Sequence, residues 1–260
     1  MKAFLEGLYL VYNRRELVHP DPLEFLYKYG EPDREVVGLI ASCLAYGRVA
    51  QILKSVENAL TPLGAHPRDF LKQNSQDLRR ILSGAYKNFK HRFTTGEHMA
   101  DLLARVSDVL HAHGSVEEFM RNCLREGGSM LTALNIFSRT LSTAGEGFSM
   151  LSAPEDGSAC KRLFLYLKWM VRRDEVDPGG WTVFSPKDLI MPTDTHIHNI
   201  ASQLGLTERK QADLKTALEI TRAFAVFSPE DPTRYDFALT RFGIRGALRI
   251  PDLIDLLRNP

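Results

Sequence analysis

The stretch VVGLIASCLAYGRVAQILKSVENAL, residues 36–60, decides the fold class of this chain. Apolar residues recur in it at spacings of three and four, at Val36, Leu39, Ile40, Cys43 and Leu44 and again at Val49, Ile52, Leu53, Val56 and Leu60. This is the period of an amphipathic helix, and it continues along almost the whole sequence. The alternation typical of strands is nearly absent, and the periodic segments are separated by Gly and Pro. We therefore expect an all-α protein of about ten helices.

The length of 260 residues is sufficient to bury a core without disulfides or metals. We expect a single helical unit over residues 1–260. The weakly patterned stretch 83–97 could divide it into two lobes, 1–90 and 91–260. The longest irregular stretch, 173–193, is of a length usually reserved for functional loops.

Several classes of protein are disfavoured by the composition. The N-terminus lacks the pattern of a signal peptide, and no apolar run approaches the roughly 20 residues that cross a bilayer. The three cysteines, Cys43, Cys123 and Cys160, are far apart and odd in number, which suggests neither a disulfide framework nor a zinc or iron–sulfur site. We expect a cytoplasmic monomer without a membrane, metal or cofactor.

The formal net charge is only +1, so any argument for nucleic-acid binding must be local. Two groups of cations are candidates: Lys161, Arg162, Lys168, Arg172 and Arg173, and then Arg234, Arg241, Arg245 and Arg249. The alternative is that these residues cover ordinary solvated helix faces.

Lys161 is the first candidate for chemistry. Ser158 follows a Pro/Gly turn and is a good N-cap, which places Lys161 in the first turn of an apolar helix. The positive end of the helix dipole and a buried surface both disfavour a charged amine. A neutral amine is what a lysine nucleophile requires.

Asp194 is the second candidate, in the segment MPTDTHIHNIASQLGL, residues 191–206. Thr193 or Asp194 should cap a helix that Gly205 ends. A carboxylate at a helix N-terminus is held ionised by the backbone N–H groups. The alternative is that Asp194 is only a cap and Lys161 only a surface cation.

These two segments resemble the helix-hairpin-helix DNA glycosylase superfamily, which includes endonuclease III and the archaeal 8-oxoguanine glycosylases. The similarity is carried by a helix that starts with lysine after a hairpin, and by P-x-D-T-H-[IV] continuing to A-x-x-L-G-L at residues 192–206. The chain is also similar to an uncharacterised bacterial family that keeps the elements S-A-C-K-R-L and P-x-D-T-H. The resemblance implies a helix-hairpin-helix glycosylase-like fold, with two packed helical lobes and a cleft between them.

The resemblance also implies a substrate and roles for residues. The partner would be double-stranded DNA with a damaged base, in the nucleoid, with Lys161 as the lyase nucleophile and Asp194 as the catalytic carboxylate. Tyr46, Gly47 and Arg48 would form a wedge that fills the gap left by a flipped nucleotide, and the alternative is that Tyr46 and Gly47 only end a helix. The other expected DNA contacts are Gly157, Ser158, Arg162, Lys168, Arg172 and His196, and the base-pocket candidates are Trp181 and Tyr235. One departure is the hairpin itself, where Glu155 and Asp156 stand at positions expected to meet a phosphate.

Three other readings of the same residues stay open at this point. Asp194, His196 and His198 have the spacing of a metal-dependent hydrolase, although two histidines this close on a helix diverge by about 200°. The fold could also serve a catalytically silent DNA-binding protein, or a helical scaffold without a nucleic-acid ligand. Trp169 lies inside the most apolar helix, so we expect it to fill the core.

Overall fold

The computed structural model describes residues 1–73, 77–142, 149–244, 251–253 and 255. In these ranges twelve α-helices occur: α1 Lys2–Tyr12, α2 Glu31–Cys43, α3 Val49–Leu60, α4 Pro67–Gln73, α5 Leu78–Ala85, α6 Gly96–His113, α7 Val116–Gly127, α8 Met130–Leu141, α9 Lys161–Val171, α10 Thr195–Gln203, α11 Leu214–Ala225 and α12 Asp236–Ile244. Short 3₁₀ helices span Arg15–Leu17, Pro22–Tyr27, Thr61–Leu63, Pro154–Asp156 and Pro186–Asp188. Two antiparallel strands, β1 Lys90–His91 and β2 Thr94–Thr95, pair His91 with Thr94. The expectation of an all-α protein is confirmed.

The chain divides into two compact units: unit 1 comprises Met1–Pro20 and Gly157–Pro260, and unit 2 comprises Asp21–Asp156. Unit 1 is therefore built from both ends of the sequence. The boundary expected between residues 90 and 91 falls inside strand β1 of unit 2, where α5 and α6, on either side of the hairpin, pack against each other.

Unit 2 is organised around α2, whose apolar stripe is fully buried, as its periodicity predicts. Two acidic side chains of α2 also cap neighbouring helices. Asp33 accepts a hydrogen bond of 2.9 Å from the N–H of Arg68 in α4. Glu35 accepts from the N–H groups of Val116 (2.9 Å) and Glu117 (3.0 Å) at the start of α7. These carboxylates satisfy N–H groups that a helix leaves without an internal partner.

Unit 1 has a core shared by α1, α10, α11 and α12, to which they contribute Leu5, Leu8, Ile197, Ile200, Ile220, Phe224, Leu239 and Phe242, among others. Helix α9 is buried nearly all round, and Trp169 fills the core as expected. Cys43, Cys123 and Cys160 are buried thiols. Within the described ranges, no helix combines the length and the apolar character that crossing a membrane would need.

Candidate active site

Lys161 is the first residue of α9, in the first turn as predicted, but the cap differs from the expectation. The N-cap is Cys160, in a left-handed conformation with φ 48°. Ser158 lies two residues earlier, and its hydroxyl accepts a hydrogen bond of 3.3 Å from the N–H of Cys160. Ser158 therefore stabilises the turn before the helix and is not its N-cap. Since Cys160 is the N-cap, α9 begins at Lys161.

Asp194, rather than Thr193, is the N-cap of α10. Its Oδ1 accepts hydrogen bonds of 2.9 Å from the N–H groups of His196 and Ile197. The Thr193 hydroxyl is buried and donates to the carbonyl of Met191 (2.9 Å). One carboxylate oxygen of Asp194 is thus committed to the helix.

The other oxygen of Asp194 lies beside Lys161. Lys161 Nζ is 3.0 Å from Asp194 Oδ2, and the two side chains are 31% and 30% exposed. Lys161 and Asp194 are 33 positions apart in sequence (194 − 161), yet the fold of unit 1 brings the two side chains together. The amine and the carboxylate therefore form one partly exposed site.

The electrostatics of the site fix the charge of Asp194. Burial alone would raise the pKa of Asp194, but the charge of Lys161 and the N–H of Ile197 outweigh it, and the pKa is lowered. A carboxylate held ionised at 3.0 Å also offsets the unfavourable position of a cation at a helix N-terminus. The geometry therefore supports an ion pair at rest, and an attacking amine must first give up a proton.

The two histidines of α10 do not join Asp194 around a common point. His198 Nε2 makes a hydrogen bond of 2.7 Å with the carbonyl of Arg209. His196 Nε2 is buried and has no hydrogen-bond partner among the described residues. In that part of the chain, no group of three or more His, Cys, Asp or Glu side chains could hold a metal ion. His198 therefore anchors the segment after α10, whereas the Nε2 atom of His196 is buried without a partner among the described residues.

Gly157, Ser158 and Arg162 lie around the start of α9. The carbonyl of Gly157 accepts a hydrogen bond of 3.0 Å from the N–H of Leu214, and Ser158 pairs with Asp213 as an isolated β-bridge. Gly157 is exposed, whereas Ser158 and Arg162 are half-buried. Residues 157 and 158 are therefore tied to the start of α11.

The acidic residues of the hairpin are neutralised locally within unit 2. Arg139 donates to Glu155 (2.7 Å) and to Asp156 (2.5 Å). Asp156 also accepts from the N–H of Ala153 (3.3 Å). These contacts neutralise Glu155 and Asp156, the two acidic residues in which this hairpin departs from the hairpin of the glycosylases.

The prediction that Lys168 and Arg172 are surface cations that contact DNA is wrong. Lys168 is 1% and Arg172 3% exposed. Lys168 Nζ lies 2.6 Å from Asp236 and 3.7 Å from Asp177. Their burial follows from the apolar character of α9, which leaves almost no face of that helix to solvent.

The partners of Arg172 make a buried ionic network that the sequence did not reveal. Its guanidinium donates to Asp174 (2.8 Å), to Asp231 (2.8 Å) and to Asp177. Burial raises the pKa of Asp177 to about 6, since the loss of water outweighs the attraction of Lys168 and Arg172. One signal was available in the sequence: a lysine between Leu167 and Trp169 in a buried helix requires a carboxylate nearby.

The irregular stretch 173–193 is held in place by this network and by α9. The N–H of Gly179 donates to the carbonyl of Trp169 (3.1 Å), and the N–H of Trp181 donates to that of Met170 (2.8 Å). The stretch therefore caps the C-terminal end of α9.

The two base-pocket candidates are core residues instead. Trp181 is 6% exposed, and its ring meets Tyr166 edge to face at 5.2 Å. Tyr235 is fully buried, and its hydroxyl donates to Glu6 (2.6 Å). Aromatic side chains packed in this way have no face left for a base.

The wedge candidates Tyr46, Gly47 and Arg48 lie in unit 2, between α2 and α3. Gly47 and Arg48 are exposed, whereas Tyr46 is half-buried. The Tyr46 hydroxyl donates to the carbonyl of His91 (2.8 Å). Arg245 and Arg249, from the second cationic group, lie outside the described residues.

A cavity of about 440 Å³ is lined by residues 205–209 and Glu219. Its lining includes neither Lys161 nor Asp194.

Comparison with known proteins gives one description. Residues 21–245 match a family model described as "Protein of unknown function (DUF2400)". No curated protein and no solved structure matches the chain. The matched range contains both Lys161 and Asp194.

Proposed function

The chain belongs to the DUF2400 family, and from its site we propose that it is a DNA-repair glycosylase with abasic-site lyase activity. In this proposal the fold is related to the helix-hairpin-helix glycosylases, and the two units correspond to the two lobes of that superfamily. The substrate is double-stranded DNA with a damaged base, and the protein acts as a monomer at the nucleoid.

The proposal is supported above all by the Lys161–Asp194 pair. The Lys161 ammonium, which becomes a nucleophilic amine when it gives up a proton, and the ionised carboxylate of Asp194 lie 3.0 Å apart, and both side chains are about one-third exposed. The N–H groups of α10 fix the orientation of the carboxylate, which preorganises it for a cation that develops nearby.

The reaction can be written with these two groups. The glycosidic bond at C1′ breaks, its electron pair leaves with the base, and the base takes up a proton. Asp194 takes a proton from Lys161 at Oδ2 and passes it to the departing base, and as a carboxylate again it stabilises the positive charge that develops on the sugar. The amine then bonds to C1′, one of its protons passes to O4′ as the C1′–O4′ bond breaks, and the opened sugar is held to Lys161 as a protonated imine with a free hydroxyl at C4′. Loss of a proton from C2′ breaks the C3′–O bond by β-elimination.

The test is covalent trapping. Incubation with abasic-site duplex and borohydride should reduce the imine to a stable amine, which gives a protein–DNA adduct located at Lys161 by mass spectrometry. Lys161→Gln should lose the adduct. Lys187→Gln, which removes an exposed lysine from the same unit, is the matched control and should keep it.

The absence of an adduct with the wild-type protein would reject the lyase step. If the wild-type protein still bound duplex DNA with strong salt dependence, the result would favour the catalytically silent DNA-binding alternative. Loss of the adduct in both lysine variants would contradict the assignment of the nucleophile to Lys161.

A further inference from the structure

Helix α9 carries three cations on one face. Lys168 is seven positions after Lys161 (168 − 161), and Arg172, the C-cap of the helix, is eleven positions after it (172 − 161). At about 3.6 residues per turn, these separations lie within about 20° of two and of three full turns. Lys161, Lys168 and Arg172 therefore form one row along α9, which we call the cation row.

The middle cation of the row is a buried ammonium. The side chain of Lys168 is 2% exposed, and those of its partners Asp236 and Asp177 are 5% and 0% exposed. Its Nζ lies 2.6 Å from Oδ2 of Asp236, the first residue of α12. Burial opposes the charge of Lys168, but the attraction of the two carboxylates outweighs it, and the pKa of the amine is raised. Lys168 therefore ties α9 to α12 by a charge-assisted hydrogen bond.

The two ends of the cation row are also paired with carboxylates of unit 1. Lys161 Nζ lies 3.0 Å from Asp194, the N-cap of α10. At the opposite end, the Arg172 guanidinium lies 2.8 Å from both Asp174 and Asp231. The row thus faces carboxylates along its whole length, from the start of α9 to its end.

The apolar residues of α9 do not by themselves define how the helix is rotated. From Leu163 to Val171 every residue is buried except Leu165, which is half-buried. Such a helix has no single apolar stripe to turn towards the core, and apolar burial is non-directional. A charge-assisted hydrogen bond of 2.6 Å, in contrast, requires a particular orientation of both partners. Buried polar contacts of this kind select one register among several with similar packing.

We propose that Lys168 is a positioning residue for Lys161: its bond to Asp236 fixes the rotation of α9 and so keeps the Lys161 amine beside Asp194. A side-chain atom about 5–6 Å from a helix axis moves by about 2 Å when the helix rotates by about 20°. A displacement of this size is sufficient to separate an amine and a carboxylate that are 3.0 Å apart. The consequence of this positioning for catalysis rests on the proposed function.

The test replaces the buried ion pair by apolar side chains. Lys168→Met combined with Asp236→Leu removes both charges together, so neither is left buried alone, a change that proteins often tolerate. Asp236→Asn by itself is the milder variant, because Lys168 still has Asp177 at 3.7 Å. Leu163→Val is the matched control, since it trims a buried side chain on the opposite face of α9, about 160° from Lys161. Thermal melting shows which variants are folded.

The first measurement needs no DNA. An acetylating ester reacts with neutral amines, and mass spectrometry gives its rate at Lys161 relative to Lys187, an exposed lysine of the same unit. Asp194→Asn removes the charge that holds the ammonium and should raise this ratio about 2- to 5-fold, the range of a partly exposed ion pair. Lys168→Met/Asp236→Leu should raise the ratio into the same range. Asp236→Asn should raise it less, and Leu163→Val should leave it unchanged.

The second measurement is the rate of borohydride trapping on abasic-site duplex. Lys168→Met/Asp236→Leu should slow trapping about 10- to 100-fold, because an amine displaced from Asp194 loses the group that takes its proton. The affinity for DNA should change less than about twofold, because Lys168 and Asp236 are buried. A Lys161 amine that reacts faster with the ester but more slowly in trapping is the signature of lost positioning.

The outcomes that overturn the proposal are distinct from those that reject the proposed function. An unchanged ester ratio in the folded Lys168→Met/Asp236→Leu variant would overturn it. If that variant does not fold, Asp236→Asn decides, and a ratio equal to that of wild type overturns the positioning role. An equal increase in Leu163→Val would also overturn it, because any loosening of α9 would then be sufficient. Absence of trapping in the wild-type protein would reject only the proposed function, since the ester rates still report the position of Lys161.

Discussion

Asp194 combines a structural and a chemical task in one side chain. Its Oδ1 caps α10, and its Oδ2 faces Lys161. The sequence indicates the first task through the position of an aspartate before a helical pattern. The second task depends on where α9 starts in space, which no spacing along the chain reveals.

Substitution of Asp194 can separate these tasks. Asn is as good an N-cap as Asp. The free energy of unfolding of Asp194→Asn should therefore lie within about 1 kcal/mol of that of wild type, as expected for loss of a partly exposed ion pair. Its turnover on a damaged duplex should fall about 10²–10⁴-fold, because the charge opposite Lys161 is gone. Single-turnover assays and chemical denaturation measure the two effects.

Asp194→Ala is the comparison variant. It removes the cap as well and should cost about a further 1 kcal/mol in the free energy of unfolding. Turnover that is unchanged in Asp194→Asn would remove Asp194 from the chemistry and leave it as a cap.

At the scale of single elements, α10 was the most predictable part of unit 1. It starts after Asp194 and ends at Gln203, two residues before Gly205, which has φ 69°. The N–H groups of Gly205 and Leu206 close the last turn on the carbonyls of Ser202 (3.1 Å) and Ala201 (2.8 Å). Both ends are local features, so the sequence locates them to within two residues, although it leaves the N-cap open between Thr193 and Asp194.

The C-terminal end of α9 depends on a distant glycine. Gly179 has φ 62°, and a Cβ there would lie 2.8 Å from the carbonyl oxygen of Arg172. Gly179→Ala should therefore lower the free energy of unfolding by about 1–3 kcal/mol. Gly7→Ala in α1 is the control of opposite sign, because nothing lies within 4 Å of its Cβ and alanine favours a helix. Thermal or urea unfolding of the two variants gives the comparison, and equal stability of Gly179→Ala and wild type would contradict the close approach.

At the scale of the whole molecule, the N-terminal segment joins unit 1 through the ionic network. The Tyr9 hydroxyl and the Asn13 amide both donate to Asp174 (3.0 Å each), which also pairs with Arg172. Burial opposes ionisation of Asp174, but Arg172 and two backbone amides lower its pKa to about 2. Tyr9 and Asn13 are thus held by the charged carboxylate of Asp174, which lies more than 160 residues away in sequence.

The pH dependence of stability should report on this network. Asp177 has a folded-state pKa of about 6, raised from 3.8, so the folded state binds more protons than the unfolded state between about pH 4 and pH 6. The stability contributed by this group falls as the pH rises through that window. Asp177→Asn removes the titration, so the Tm of the variant relative to wild type should increase from pH 4 to pH 7.

Scanning calorimetry or dye-monitored melting at pH 4, 5, 6 and 7 measures this difference. Glu208→Gln, at an exposed carboxylate of unit 1, is the control and should show no such trend. A Tm difference for Asp177→Asn that is constant with pH, or that decreases as the pH rises, would contradict the raised pKa.

The sequence by itself determined the helical class, the approximate start and end of α10, the first-turn position of Lys161 and the core role of Trp169. These features depend on the hydrophobic period and on interactions between residues that are close in sequence, so a short segment is sufficient to determine them. Only the tertiary structure decided which charges are buried and which segments share a unit. It moved Lys168 and Arg172 from the surface into an ionic network, Trp181 and Tyr235 from a pocket into the core, and the N-terminal helix into contact with the last one. The physical reason is that burial of a charge or an aromatic ring is set by neighbours that are distant in sequence, and a hydrophobic period does not specify them.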